Sequence, residues 1–469
     1  MLPQLNVLSL TQLTLEQNVK DSLLIEILKK SPKLACLTLP LWSGQKLANI
    51  LNIIHIHSPY LQSLRYGRIM PRKDVTYSTD HHQKHHSTPI SLHHGLKELE
   101  IWLAEDTVNT SKQQADMLDQ LQALFQQNRN SILIVRLLGG FLSHSSFDLT
   151  LLVGQSHHGL PRLKFLELEQ TRSNDSKLLA DTFRACPSLE HVDFCCTHEH
   201  LCNEQAIEAL ASLKYLRRLS LDIKAKGWQL SDKYVLFHLF KEKYDSHLED
   251  FTLHYWYKHT SPYMQHQFMI ELAKAISRSS RLWRLDIQGI WLSEGTLETF
   301  LSHLHDSHIR ELALSLCRGD VTSQHAEPFS KTEMEALASI PYLDYLKIND
   351  TEKLMLETQL REFLNKVVDC QWNQRPLVVV RIDNVHPDRC PLLGCIKRQP
   401  SIKNKGNDNH EQRQQQQETT IQLYKNENVS NSRFSVQVDQ DYVDSKLKHK
   451  FDFPLRDASG YFNRATGEI

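Results

Sequence analysis

One short pattern recurs thirteen times along the chain, with apolar residues at the first, fourth and sixth positions of a run. The copies are Leu5-Leu8-Leu10, Leu34-Leu37-Leu39, Leu61-Leu64-Tyr66, Leu96-Leu99-Ile101, Ile132-Val135-Leu137, Leu163-Leu166-Leu168, Leu189-Val192-Phe194, Leu216-Leu219-Leu221, Leu248-Phe251-Leu253, Leu282-Leu285-Ile287, Ile309-Leu312-Leu314, Leu343-Leu346-Ile348 and Leu377-Val380-Ile382. Start-to-start spacings run from 26 to 36 residues. A fixed period of that size means stacked units. Leu is 72 of the 469 residues, and only three of them follow residue 400, so the pattern has an end.

Each unit reads as strand, turn, helix, turn. A Pro or Ser often stands just before the first apolar position: Pro3, Pro32, Pro59, Pro161, Pro187, Ser280, Pro341 and Pro376. Between copies the apolar spacing turns helical, as with Leu23, Leu24, Ile27 and Leu28, or Ala206, Ile207, Leu210 and Ala211. A strand alternates its side chains, so the fourth and sixth positions share one face. A single unit cannot enclose its own Leu side chains, but stacked units bury them in columns. The expected fold is an α/β solenoid of about 13 repeats over 1–395, with a curved parallel sheet inside and helices outside.

The pattern resembles leucine-rich repeats, in the long subclass with a helix on the convex side. Two units are similar to the cysteine-containing repeats of F-box/leucine-rich-repeat proteins, where a Cys holds the ninth position. Ile309-Leu312-Leu314 is followed by Cys317 in ninth place. In the unit from Leu189, Cys196 comes one residue early and Asn203-Glu204 open the helical run. Lys224, Trp256 and Ile290 hold that position in their own copies, which departs from the family. The resemblance implies an adaptor that presents targets to a cullin–RING ubiquitin ligase through a Skp-type linker. The F-box that would bind the linker is not visible, because the pattern opens at Leu5. Two readings stand: a fragment of a longer protein, or a repeat protein without an F-box whose open end a partner covers.

Composition excludes other classes. Lys plus Arg is 54 against 55 Asp plus Glu, so there is no basic field for nucleic acid or anionic lipid. No apolar run is long enough for a membrane span; Ile132 to Leu142 is short and broken by Arg136. Nine Cys, an odd number at low density without a secretion signal, predict reduced thiols and a cytoplasmic or nuclear setting. No phosphate-binding glycine loop, zinc-protease or nucleophile-elbow motif occurs, so no enzyme and no cofactor is expected.

Residues 80–94 hold six His and read as a polar loop insertion rather than a metal site. Cys195, Cys196, His198, His200 and Cys202 lack paired zinc-ligand spacing, so no metal is expected there either. Cys390 and Cys395, around Pro391 to Gly394, read as the closing turn of the last repeat. Residues 396–469 read as a polar, mostly disordered tail. Within it, the runs Ile421 to Tyr424 and Phe434 to Val438 are candidate capping strands.

The functional expectation rests on the concave face, where rigid strands present a regular array. Its positions in the middle of the chain are His191, Asp193, Cys195; Arg218, Ser220, Asp222; Asp250, Thr252, His254; Arg284, Asp286, Gln288; Glu311, Ala313, Ser315; Tyr345, Lys347, Asn349. Mixed signs suit a protein target read by complementary charge pairs. Tyr255, Trp256 and Trp291 stand beside this array, either as interface anchors or as turn filling. In an extended run Trp256 and its Tyr neighbours face opposite ways, so at most one set enters the core. The chain is thus expected to be a protein-interaction scaffold, which the resemblance makes the substrate-recognition part of an F-box-type ubiquitin ligase adaptor. A ubiquitin-unrelated binding or assembly protein is the alternative, and an enzyme with a site in the irregular units is the last rival.

Overall fold

The computed structural model describes residues 10–15, 19–40, 50–67 apart from 52, 55 and 59, 95–103, 121–139, 159–168, 176–196, 204–223, 236–240, 247–255, 262–289, 295–316, 330–350, 361–362, 365, 377–384, 392–399 and 418–425. All of them belong to one compact unit, formed by Met1–Gly67 and His94–Asn428.

Among the described residues fifteen strands form one sheet in strict chain order. They are β1 (Gln12–Thr14), β2 (Cys36–Leu39), β3 (Ser63–Tyr66), β4 (Glu98–Leu103), β5 (Ile134–Gly139), β6 (Phe165–Leu168), β7 (His191–Cys196), β8 (Arg218–Ile223), β9 (Asp250–Tyr255), β10 (Arg284–Gln288), β11 (Glu311–Leu316), β12 (Tyr345–Asp350), β13 (Leu377–Asn384), β14 (Leu392–Gln399) and β15 (Glu418–Lys425). The first thirteen pair in parallel, each with the next. The register keeps the apolar columns aligned: Val192, Leu219, Phe251, Leu285, Leu312 and Leu346 are successive partners.

Between strands lie helices, among them α1 (Asp21–Lys30), α2 (Ser176–Ala185), α3 (Glu204–Ala211), α4 (Pro262–Ser277), α5 (Thr296–His303) and α6 (Lys331–Ser339). Their apolar stripes meet the columns in one continuous core, joining Leu24, Phe183, Ile207, Leu272, Phe300 and Leu337 to the strand residues. Among the described residues these helices therefore cover one face of the sheet, and the alternate strand residues form an open face.

The Pro leader has a local cause. Leu34, Leu163 and Leu189 donate their N–H to Ser31, Leu160 and Cys186 three residues earlier. Pro32, Pro161 and Pro187 then occupy the second turn position, where a fixed φ near −65° is already correct. A second device sets the register. The carbonyl of the residue before each strand accepts two successive N–H groups from the next repeat. Thr11 takes Ala35 and Cys36, Ala35 takes Gln62 and Ser63, and so on to Arg310, which takes Asp344 and Tyr345, all at 2.7–3.1 Å.

Two expectations are corrected. The first repeat is not Leu5-Leu8-Leu10. Leu13 pairs with Leu37, so the first described triplet is Leu10-Leu13-Leu15, in which Leu10 takes the first position and not the sixth; residues 1–9 lie outside the described residues. The Leu-rich start satisfies the pattern in two frames, and only pairing with β2 selects one. Cys395 is not in a closing turn: it stands in β14, opposite Val379 of β13. There the sheet changes direction. β14 pairs antiparallel with β13 and β15 antiparallel with β14, so pairing continues beyond residue 395 and takes in Ile421 to Tyr424. The His-rich stretch 80–94, residues 400–417 and residues 426–469 lie outside the described residues.

Gly289 holds β10 close to β9. Its φ of 74° is left-handed, and a Cβ there would overlap the Tyr255 carbonyl. Both the conformation and the close approach require Gly. Gly289→Ala is expected to destabilise the fold by more than about 1 kcal/mol, measured by chemical denaturation. Unchanged stability would show that the two strands can separate without cost.

Candidate partner-binding face

Strand pairing arranges the open face in rows. One row runs His191, Arg218, Asp250, Arg284, Glu311, Tyr345. The next runs Asp193, Ser220, Thr252, Asp286, Ala313, Lys347, and a third runs Cys195, Asp222, His254, Gln288. The sequence array is therefore one contiguous surface. Asp193, Asp222, Asp250 and Asp286 are buried within it, while His191, Arg218, His254, Arg284, Gln288, Glu311, Tyr345 and Lys347 are half-buried.

Tyr255 is not on this face. It is the register partner of Ile223 and is buried in the helix-side core, as alternation demands. Trp256, Trp291 and Cys317 lie outside the described residues, as do His198, His200 and Cys202.

Arg284 organises the centre. Its Nη1 donates to Asp250 Oδ2 at 3.1 Å, and its Nε lies 3.6 Å from Glu311 Oε2. Burial alone would lower the Arg284 pKa, but Asp250, Asp286, Glu311 and Tyr345 outweigh it and raise it. Asp286 accepts from Gln288 at 2.9 Å and lies 3.9 Å from His254 Nε2. Its burial is outweighed by His254, Gln288 and Arg284, which hold its carboxyl below the ordinary range. Asp250 moves the other way: burial pushes its carboxyl up, against the pull of Arg284 and Arg218. Glu311 is pushed up to about 7, first by burial and then by Asp250 and Asp344.

A second network was missed from the sequence. Arg136 projects from β5 with its side chain 8 % exposed. Its Nη1 lies 2.7 Å from Glu98 Oε1 and 3.7 Å from Glu100 Oε2, and its Nε lies 3.4 Å from Glu167 Oε2. The guanidinium also sits 4.8 Å from the Phe165 ring centroid, and that ring meets His191 edge-on at 4.5 Å. Arg65 reaches Glu98 from the other side at 3.4 Å, and Ser63 donates to Glu98 at 2.9 Å. Burial would raise the Glu98 pKa, but Arg65 and Arg136 with these hydrogen bonds hold it below the ordinary carboxylate range. Arg136 had registered only as a break in an apolar run. The offset that places Asp193 on the open face places Glu100, Arg136 and Glu167 there too, and applying it to earlier repeats would have found them.

Among these open-face positions the acids Glu98, Glu100, Glu167, Asp193, Asp222, Asp250, Asp286 and Glu311 outnumber Arg65, Arg136, Arg218, Arg284 and Lys347. Most of these charges pair across neighbouring strands. The face is thus a rigid, internally braced surface with a modest excess of negative charge.

Strand order, parallel register, aligned apolar columns and one-sided helices define a leucine-rich-repeat solenoid. No family model matches the chain, and no curated protein sequence matches it. Among solved structures, the leucine-rich repeat-containing protein LegL7 from Legionella pneumophila is similar at 16 % identity, covering 78 % of this chain and 95 % of that one. The TM-score is 0.36, so the assignment stands on the strand order and register above. No helix among the described residues is long and apolar enough to cross a membrane.

Proposed function

We propose that the chain is a protein-interaction scaffold that holds its target on the open face between β7 and β12, without catalysis of its own. The observation that carries this is the contiguous three-row surface, in which half-buried polar side chains stand beside buried carboxylates, Asp250 held by Arg284 and Asp286 by His254 and Gln288. A rim of that kind reads a partner by charge complementarity while its foundation stays in place. The net acidic balance favours a target segment that brings Lys or Arg.

The test uses a photo-reactive residue at Gln288 or Tyr345 in the full-length chain, with Tyr215 as a control off this face. Adducts from both strand positions and none from the control are expected. In parallel, Ser220→Lys with Thr252→Lys, which adds positive charge to the middle row of the face, should reduce partner recovery at least tenfold in protein that still folds. Full recovery by that double variant would refute the choice of face.

The finer proposal is that the target is delivered for ubiquitination, as in F-box/leucine-rich-repeat proteins. The support is the cysteine placement at Cys196 and Cys317. Recovery of a Skp-type linker and a cullin with the full-length protein is the expected result. Recovery of targets without either component would leave the scaffold standing and remove the ligase role.

A further inference from the structure

On the helix side the geometry points to a divalent transition-metal site made by Glu204, Glu208 and His238. These residues lie in neither the His-rich stretch nor the Cys195–Cys202 cluster. Glu204 and Glu208 are four apart on α3, so both project from one helix face. His238 comes from the next repeat, in the 3-10 turn over 236–240. One ligand atom from each of the three lies within 4.8 Å of the other two. His238 Nδ1 is 3.7 Å from Glu208 Oε1, beyond direct hydrogen-bond range.

That separation suits an intervening ion. Bonds of about 2.0–2.2 Å to imidazole nitrogen and carboxylate oxygen place adjacent ligand atoms roughly 3–3.5 Å apart. Small rotations of the exposed Glu204 and half-buried Glu208 side chains close the remaining difference. The donor set of one imidazole and two carboxylates fits Zn²⁺ and its first-row neighbours rather than Ca²⁺ or Mg²⁺, which prefer all-oxygen shells. Three protein ligands leave a position for water.

Both sides of the site are anchored. Ala206, Ile207, Ala209 and Leu210 bury the inner face of α3. Leu236, Leu239 and Phe240 fix the turn in the core, and Phe237 stacks on Phe268 at 5.6 Å between ring centroids. His238, with its side chain 15 % exposed, is held between these anchors and faces α3. The ion would tie the helix side of one repeat to the next, which fits a structural clamp rather than catalysis. Binding selective for the folded state raises Tm in proportion to occupancy.

The experiment titrates ZnCl2 into the full-length protein by calorimetry, with thermal unfolding at each metal concentration. The background carries His81, His82, His85, His86, His93 and His94 replaced by Ser, which removes the competing His-rich stretch. One site per chain and a metal-dependent rise in Tm are expected. Both should weaken at least tenfold in His238→Gln and in Glu208→Gln. Glu204→Gln, at an exposed position, tests the same site without threatening packing, and should also weaken it. Equal titrations for the background and Glu204→Gln, with His238→Gln equal or unfolded, would overturn the proposal. So would the absence of any site in the background protein.

Discussion

Arg136→Met is expected to destabilise the protein by about 3–5 kcal/mol, because it leaves buried carboxylates without their cation. Glu98, Glu100 and Glu167 all converge on this one guanidinium, with side chains 18 %, 5 % and 7 % exposed. Arg65 stays beside Glu98 in the variant, at 3.4 Å. The Met stem restores most of the packing volume, so the loss reports charge. A companion variant separates the two effects. Glu98→Gln, Glu100→Gln and Glu167→Gln combined with Arg136→Met should recover most of the stability, since a neutral replacement of a buried network is often tolerated. The pH dependence follows from Glu98, whose folded pKa is lowered. Its contribution is present above the unfolded value and is lost as pH falls through the folded one. The gap between wild type and Arg136→Met should therefore narrow in acid. Urea denaturation from pH 7 down to about pH 3, well below the ordinary carboxylate value of 4.5, measures it. A pH-independent loss under about 1 kcal/mol would mean that water already solvates the acids.

The second large effect comes from Glu311 and has the opposite sign. Its carboxyl, normally near 4.5, is pushed up to about 7 in the folded chain. Between those two values the folded protein holds a proton that the unfolded chain has released. Stability from this group is therefore full below the unfolded value and falls as pH rises toward the folded one. At about 1.4 kcal/mol per pKa unit the loss reaches up to about 3 kcal/mol by pH 8. Glu311→Gln keeps the shape and removes the titration. The variant should match wild type near pH 5 and exceed its stability near pH 8. Asp250 shifts in the same direction and interacts with Glu311, so the difference reports Glu311 together with the change that its loss makes at Asp250. A difference that stays constant from pH 5 to pH 8 would show that Arg284, 3.6 Å away, keeps Glu311 ionised throughout.

Both predictions concern charges that the sequence displays but does not pair. The columns were legible because burial selects for residue type: from Leu34 to Ile348 every triplet of the pattern enters the core. Strand alternation then placed the neighbours of the columns on the other face, and the rows of β7 to β12 came out in the expected order. Tyr255 shows the limit. Alternation ruled that it and Trp256 could not both be core, but the register with Ile223 was needed to put Tyr255 inside. The start of the first repeat shows the same limit, since Leu5 and Leu10 each open a valid triplet.

The sequence by itself determined the repeat, the class of fold and the two faces of each strand. These depend on local periodicity and on apolar side chains leaving water, and both are written in consecutive residues. Only the tertiary structure decided which charges meet. Arg136 and Glu98 are 38 positions apart, and Glu204 and His238 are 34 apart. Their distances depend on the register between stacked repeats, which the shared backbone carbonyls set. A shift of one residue in that register would exchange the two faces and dissolve every one of these contacts.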